Sequence, residues 1–193
     1  SAYLPAYRRV FRQAHQGLFL TLAEQELAAS LAGQVDGHLI GYGIPVPPEP
    51  AAPSGIVEPY LLYSGRIDAI KGAEMLIEYF LRFRSRNPDL PMKLYLTGTK
   101  AMEIPASPDI MFRGWVEKEE FDRLLRDSLC FIPPSSFESL GIVLLEAFAV
   151  GVPALVSQAS RVLVDHCRRS NGGLWFEGYE EFEITLKTLV EQP

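Results

Sequence analysis

Two carboxylates, Glu138 and Glu146, stand in a stretch that is otherwise nearly all apolar, SSFESLGIVLLEAFAVGVPALVS over residues 135–157. An unpartnered buried carboxylate costs several kcal/mol, so each needs a partner or a ligand. Eight helical steps would set them ~80° apart in azimuth and ~12 Å apart along an axis. Acid pairs that cleave one glycosidic bond lie roughly 5–9.5 Å apart, so this spacing suits the two ends of an extended ligand better. Between them, Ser139, Leu140, Gly141 and Ile142 mark an expected helix start, where a glycine lets backbone amides approach a ligand closely. The bland alternative leaves Glu138 solvated and pairs Glu146 with a buried Lys or Arg.

A second chemical stretch is SGRIDAIKG, Ser64 to Gly72. A strand ending at Gly65, followed by Arg66 and Lys71 at the start of a helix, makes a pocket for an anion, because the helix dipole adds to both side-chain charges. It carries neither the GxxxxGK[ST] nor the GxGxxG spacing. Two solvated surface cations are the competing reading. Trp115, directly after a third short strand, could stack on a base or pack against the sheet, and core packing is the commoner fate. Anion at a helix start, with a hydroxyl-bearing group at each carboxylate, outlines a nucleoside diphosphate sugar.

The elements that would position these residues alternate. Strands are expected at 60–64, 93–97, 110–112, 129–132, 154–156 and 174–176. Helices are expected from Met75, Leu76, Tyr79, Phe80 and Phe83, stopped by Asn87-Pro88; around Phe121, Leu124 and Leu125; over 142–150; and over 182–190. Strands apolar on both faces that alternate with helices predict an α/β, Rossmann-like, doubly wound parallel sheet. Residues 18–20, 24–31 and 38–40 read as a strand, a helix and a strand. Five prolines from Pro45 to Pro53 then read as a stiff linker. The expected division is 1–55, the tail of a preceding domain plus linker, and 56–193, the sheet domain.

Composition sets bounds. The 193 residues are 48% hydrophobic and 22% charged with net charge −6, which weighs against a nucleic-acid partner. Two cysteines, Cys130 and Cys167, are too few for a disulfide framework, so a reducing cytoplasm is the default. No signal peptide or membrane span reads from the apolar runs. The start at Ser1 suggests a piece of something longer. Tyr3, Leu4, Tyr7, Val10 and Phe11 with Arg8, Arg9 and Arg12 resemble a short basic amphipathic helix, suited to peripheral membrane contact or to a cut domain interface. His15, His38 and His166 have no metal-ligand spacing and no acid partner nearby, so isolated structural roles are expected.

Taken in order, Arg66 and Lys71-Gly72, the Gly114-Trp115-Val116 turn, Pro134-Ser135, and Glu138 with Glu146 after seven residues, closing in 147–153 (AFAVGVP), resemble the donor-binding half of retaining glycosyltransferases of the GT-B fold. The likeness is to the large family that includes bacterial mannosyl-, glucosyl- and N-acetylglucosaminyltransferases and relatives of sucrose and glycogen synthases, and it runs from about Tyr60 to the C-terminus. It implies a hexosyltransferase with a UDP-, GDP- or ADP-sugar donor, and neither metal nor cofactor. It further implies that Arg66 and Lys71 bind the donor diphosphate. Glu138 contacts hexose hydroxyls near the reacting carbon, and Glu146 accepts from the ribose hydroxyls. Backbone amides at Leu140, Gly141 and Ile142 meet sugar and phosphate, with Gly65, Ser139 and Trp115 also in the donor site.

Leu140 departs from the family, which more often has an aromatic there. The family's acceptor domain, with its glycine-rich loop, is absent, so this chain alone is expected to bind donor without transferring sugar. Two other classes fit the same residues: a non-catalytic sugar-nucleotide-binding module, and a sugar-nucleotide epimerase of the same fold.

Overall fold

A computed structural model describes residues 4–33, 35–45 and 53–191. Six strands, β3 (Tyr60–Ser64), β4 (Lys93–Thr97), β5 (Ile110–Gly114), β6 (Cys130–Phe131), β7 (Ala154–Ser157) and β8 (Gly173–Phe176), form one all-parallel sheet in the order β5-β4-β3-β6-β7-β8. Five helices link or close them: α3 (Ala73–Arg86), α4 (Lys118–Asp127), α5 (Ile142–Ala149), α6 (Arg161–Ser170) and α7 (Tyr179–Glu191). The sheet grows outward in both directions from β3 and β6. Between those two strands the crossovers switch faces, which opens a crevice beyond their C-terminal ends.

Period-two alternation divides the core. Leu61 and Tyr63 enter one apolar cluster with Leu94, Phe80, Phe83, Phe176 and Phe182. Tyr60 and Leu62 enter another with Phe121, Leu124, Leu144 and Leu163. Both faces of β3 are therefore covered, as an apolar central strand of a parallel sheet requires. Truncating a fully buried ring such as Phe80 would cost about 3–5 kcal/mol.

The parallel sheet and the positions of α3, α4, α5 and α7 follow the expected α/β plan. Helix α6 is the exception, since the sequence reading assigns no element between the strand at 154–156 and the strand at 174–176. The Ser160 side chain accepts from the Leu163 N–H as a cap, and Val162, Leu163, Val164 and Cys167 bury on one side.

The N-terminal segment contains α1 (Leu4–Gln13) and a parallel β1–α2–β2 unit: β1 Gly17–Phe19, α2 Leu22–Ala32, β2 Gly37–Leu39. A capping box of Thr21 and Glu24 starts α2. The amphipathic N-terminal segment is helical, with Tyr7 and Val10 exposed, and Arg8 Nε donates to the Leu31 carbonyl at 2.8 Å. Residues 46–52 of the expected proline-rich linker lie outside the described residues. Among the described residues no helix is long and apolar enough to cross a membrane. Cys130 and Cys167 are both buried free thiols.

Candidate functional site

The chain leaves β3 through Gly65, at φ +150°, and turns sharply. Tyr63 donates its hydroxyl to the Arg66 carbonyl at 2.6 Å, strapping the turn to the strand. Asp68, which sequence reasoning passed over, organises the rest of the loop into α3. Its carboxylate accepts the Lys71 backbone N–H at 2.8 Å and is ion-paired with the Arg66 guanidinium. The Lys71 N–H, then Arg66, hold it below the usual carboxylate range, so it stays ionised. The pattern D-x-x-K ahead of a helix was the available signal, a short acidic side chain that bonds a backbone N–H three residues on in its own loop.

Gly72, at φ +75°, begins α3, and a β-carbon there would stand 2.6 Å from the Pro134 carbonyl oxygen. The loop after β3 thus touches the loop after β6, and no side-chain hydrogen bond caps α3. Across this contact Lys71 Nζ donates to Glu138 Oε1 at 2.8 Å. A cleft of about 180 Å³ holds Lys71, Glu138, Ser135, Gly65, Gly141 and Ile142. The bland alternative of a solvated Glu138 is thereby replaced: its side chain is 20% exposed and paired.

Gly141, at φ +72°, starts α5 in the left-handed conformation. The left-handed conformation favours glycine here, and a β-carbon would also press on the Leu163 Cδ2 methyl at 2.6 Å. His166 Nε2 lies 2.9 Å from the Leu140 carbonyl and, as a ring N–H donor, fastens the turn to α6. The Leu140 side chain is buried, whereas Ser139 and Ile142 are exposed. Leu140 is therefore packing, and its aliphatic side chain leaves the turn intact.

Glu146 lies on α5 in an adjoining cleft of about 340 Å³ with Arg66, Trp115, Gly98, Val116 and Lys118. The two clefts share Ser64, Gly65 and Val143, so they adjoin, and together they are called the groove. Lys118 Nζ stays 3.8 Å from Glu146 Oε1 and is bonded to Asp122, so no tight ion pair holds Glu146. Burial raises the Glu146 pKa; Lys118 opposes that and Asp122 adds to it. The alternative of a buried Lys or Arg partner does not hold, because Lys118 is exposed and shared.

Of the two readings open for Trp115, stacking in the donor site or core packing, the structure removes core packing. The turn at Gly114, φ +68°, leaves its side chain 79% exposed at the groove. Among the described residues three other hollows exceed either cleft in volume; one of about 390 Å³ lies along α1 at Pro5, Arg8, Arg9, Arg12 and Gln13, remote from the sheet. One of about 450 Å³, at 151–154 and 170–174, lies at the N-terminal ends of β7 and β8 and is lined by no charged side chain. One of about 460 Å³ between α2 and α6 has its Arg161 already paired with Glu26. None of the three joins the C-terminal strand ends of β3 and β6, where a doubly wound sheet binds ligands. No cluster of three potential metal ligands occurs among the described residues.

The sequence profile described as "Glycosyl transferases group 1" matches residues 58–192, well over half of the chain. The chain belongs to that glycosyltransferase family. It is 27% identical over 150 residues to a D-inositol 3-phosphate glycosyltransferase of Arthrobacter sp. (strain FB24), an overlap of 69% of this chain and 35% of the relative. An uncharacterised glycosyltransferase of Methanocaldococcus jannaschii is 28% identical over 127 residues, 61% of this chain and 32% of that protein. The chain thus spans about a third of the length of these relatives.

Solved glycosyltransferases share the fold. Anabaena HepE in complex with UDP superposes with a TM-score of 0.81 at 16% identity, covering 98% of this chain and 58% of that one. S. aureus TarM, in a complex that includes UDP, gives 0.80 at 14%, covering 100% and 40%. Sucrose-phosphate synthase from Thermosynechococcus elongatus gives 0.77 at 18%, covering 100% and 53%. The six-stranded unit has the Rossmann-like fold of GT-B glycosyltransferases.

Proposed function

We propose that residues 58–191 form the donor-binding half of a retaining hexosyltransferase that takes its sugar from a nucleoside diphosphate. The observation that carries this is the groove of two adjoining clefts at the β3–β6 switch point. It sets Lys71 against Glu138 at one end, and Arg66, Trp115 and Glu146 at the other. A sugar nucleotide has matching chemistry along its length: base, ribose diol, diphosphate, polyhydroxylated hexose.

In this reading the exposed Trp115 ring stacks on the base and Glu146 accepts from the ribose hydroxyls. Arg66, Lys71 and the start of α3 hold the diphosphate, while Glu138 and the amides at Gly141 and Ile142 meet the hexose. The chemistry is electrostatic. As the bond from the anomeric carbon to the diphosphate oxygen breaks, negative charge builds on the leaving group beside two fixed cations and a helix dipole. Asp68 keeps the Arg66 guanidinium and the Lys71 backbone in place before the donor arrives. The acceptor is bound by parts of the enzyme outside residues 58–191. UDP in the HepE and TarM complexes supports a nucleotide donor here.

A thermal-shift panel of UDP, GDP, ADP and their hexose conjugates tests the reading. At least one nucleoside diphosphate should raise the melting temperature by several degrees, through mass action. A panel that leaves it unmoved at millimolar concentration contradicts it.

A further inference from the structure

Resting on that donor-site reading, we propose that Glu138 makes the groove discriminate against the spent nucleoside diphosphate in favour of the intact sugar nucleotide. The empty groove neutralises its own cations: Asp68 is paired with Arg66, and Glu138 with Lys71 at 2.8 Å. The second pair bridges the loops after β3 and β6, with side chains 34% and 20% exposed, so bulk water screens it only in part. Any diphosphate that reaches Lys71 must share it with a carboxylate already in hydrogen-bond contact.

The two ligands meet that carboxylate differently. An ionised carboxylate only accepts hydrogen bonds. Hexose hydroxyls donate, so the intact donor offers Glu138 new partners while its diphosphate takes up Lys71. A bare diphosphate offers acceptor oxygens alone, and its terminal phosphate gains a further negative charge when the hexose leaves. Glu138 then faces a like charge with no hydroxyl in compensation. Transfer itself converts an attractive contact into a repulsive one and drives the product out, a step that limits turnover in many enzymes.

The opposing possibility is that Glu138 only steers Lys71 toward the phosphates. The two ideas predict opposite signs for one substitution. Glu138→Gln keeps the side-chain size and removes the charge. Calorimetric titration with UDP, GDP and ADP, and with the matching nucleosides, identifies the base that the parent protein binds. For that base, Glu138→Gln should tighten the diphosphate about fivefold to fiftyfold, as expected from removing one like charge at close range in a partly screened site. The nucleoside should be unchanged, and 1 M salt should shrink the gain. Glu138→Ala should tighten the diphosphate in the same direction, which guards against a folding defect peculiar to one variant.

Unchanged or weaker diphosphate binding in both folded variants overturns the proposal and leaves the donor site standing. Equal tightening of nucleoside and diphosphate also overturns it, since phosphate charge would not be the cause. A parent that binds none of the three diphosphates removes the donor-site reading, and the proposal with it.

Discussion

A β-carbon placed on Gly98 would stand 2.0 Å from the carbonyl oxygen of Gly65. The two glycines end neighbouring strands β4 and β3 and together floor the groove that holds Arg66 and Trp115. Gly98 sits at φ +116° and donates its N–H to the Gly114 carbonyl at 2.7 Å, so the backbone cannot retreat without breaking the sheet end. Gly98→Ala should therefore destabilise by about 3 kcal/mol or more, combining left-handed strain with a backbone clash. Gly114→Ala, at φ +68° with open space around it, should cost only about 1–2 kcal/mol. Denaturant midpoints of the two variants check this, and equal losses would contradict it.

Lys71 is one of the two cations proposed to face the leaving group. Lys71→Ala should weaken nucleoside diphosphate binding by ~1.5–3 kcal/mol, the range for a hydrogen bond involving a charged group, and leave nucleoside binding nearly unchanged. Isothermal calorimetry on both ligands makes the comparison. Equal losses would detach Lys71 from the phosphate.

Glu146 gives a pH prediction. Burial raises its folded pKa, so the folded state prefers the neutral acid and stability falls as pH rises from the ordinary carboxylate value through the raised one. Glu146→Gln removes that penalty. It should melt at or above the parent at pH 7, with the gain shrinking as pH drops toward about 4. The parent should also bind a ribonucleotide more tightly than its 2′-deoxy form, and Glu146→Gln should narrow the difference. A parent with no preference for the ribose form, together with a variant that melts lower at pH 7, would show that the carboxylate serves the fold.

Trp115 is 79% exposed, so Trp115→Ala should leave the melting temperature within a degree or two of the parent. Nucleotide affinity should fall by ~1–3 kcal/mol, as when an aromatic platform is lost beneath a base. Inorganic pyrophosphate, which has no base, should bind both proteins alike. A loss of pyrophosphate binding in the variant would assign Trp115 to the phosphates and not to the base.

The sheet was legible because parallel strands buried on both faces write long apolar runs, and β3 and β4 fall where those runs stand. Gly72 and Gly141 likewise marked helix starts that do occur. Local pattern could not reveal pairings across the switch point: nothing in the spacing of Lys71 and Glu138 says that they touch. Asp68 left a weaker trace, D-x-x-K ahead of a helix, and its pairing with Arg66 depends on the loop conformation. Residue type alone left Trp115 between base stacking and core packing, because it does not tell which way the turn at Gly114 points. Helix α6 was masked by its β-branched valines, whose propensity tertiary packing overrode.

Whether the β3–β6 groove holds a sugar nucleotide is tested most directly by a ¹H–¹⁵N spectrum of the labelled protein, titrated with the nucleoside diphosphate that stabilises it most. Saturable shifts are expected at the amides of Gly65, Arg66, Lys71, Gly72, Trp115, Val116, Gly141 and Ile142, with the hexose conjugate extending them at 138–142. Shifts concentrated instead at 151–154 and 170–174, around the larger hollow at the opposite strand ends, would contradict a donor site in the groove.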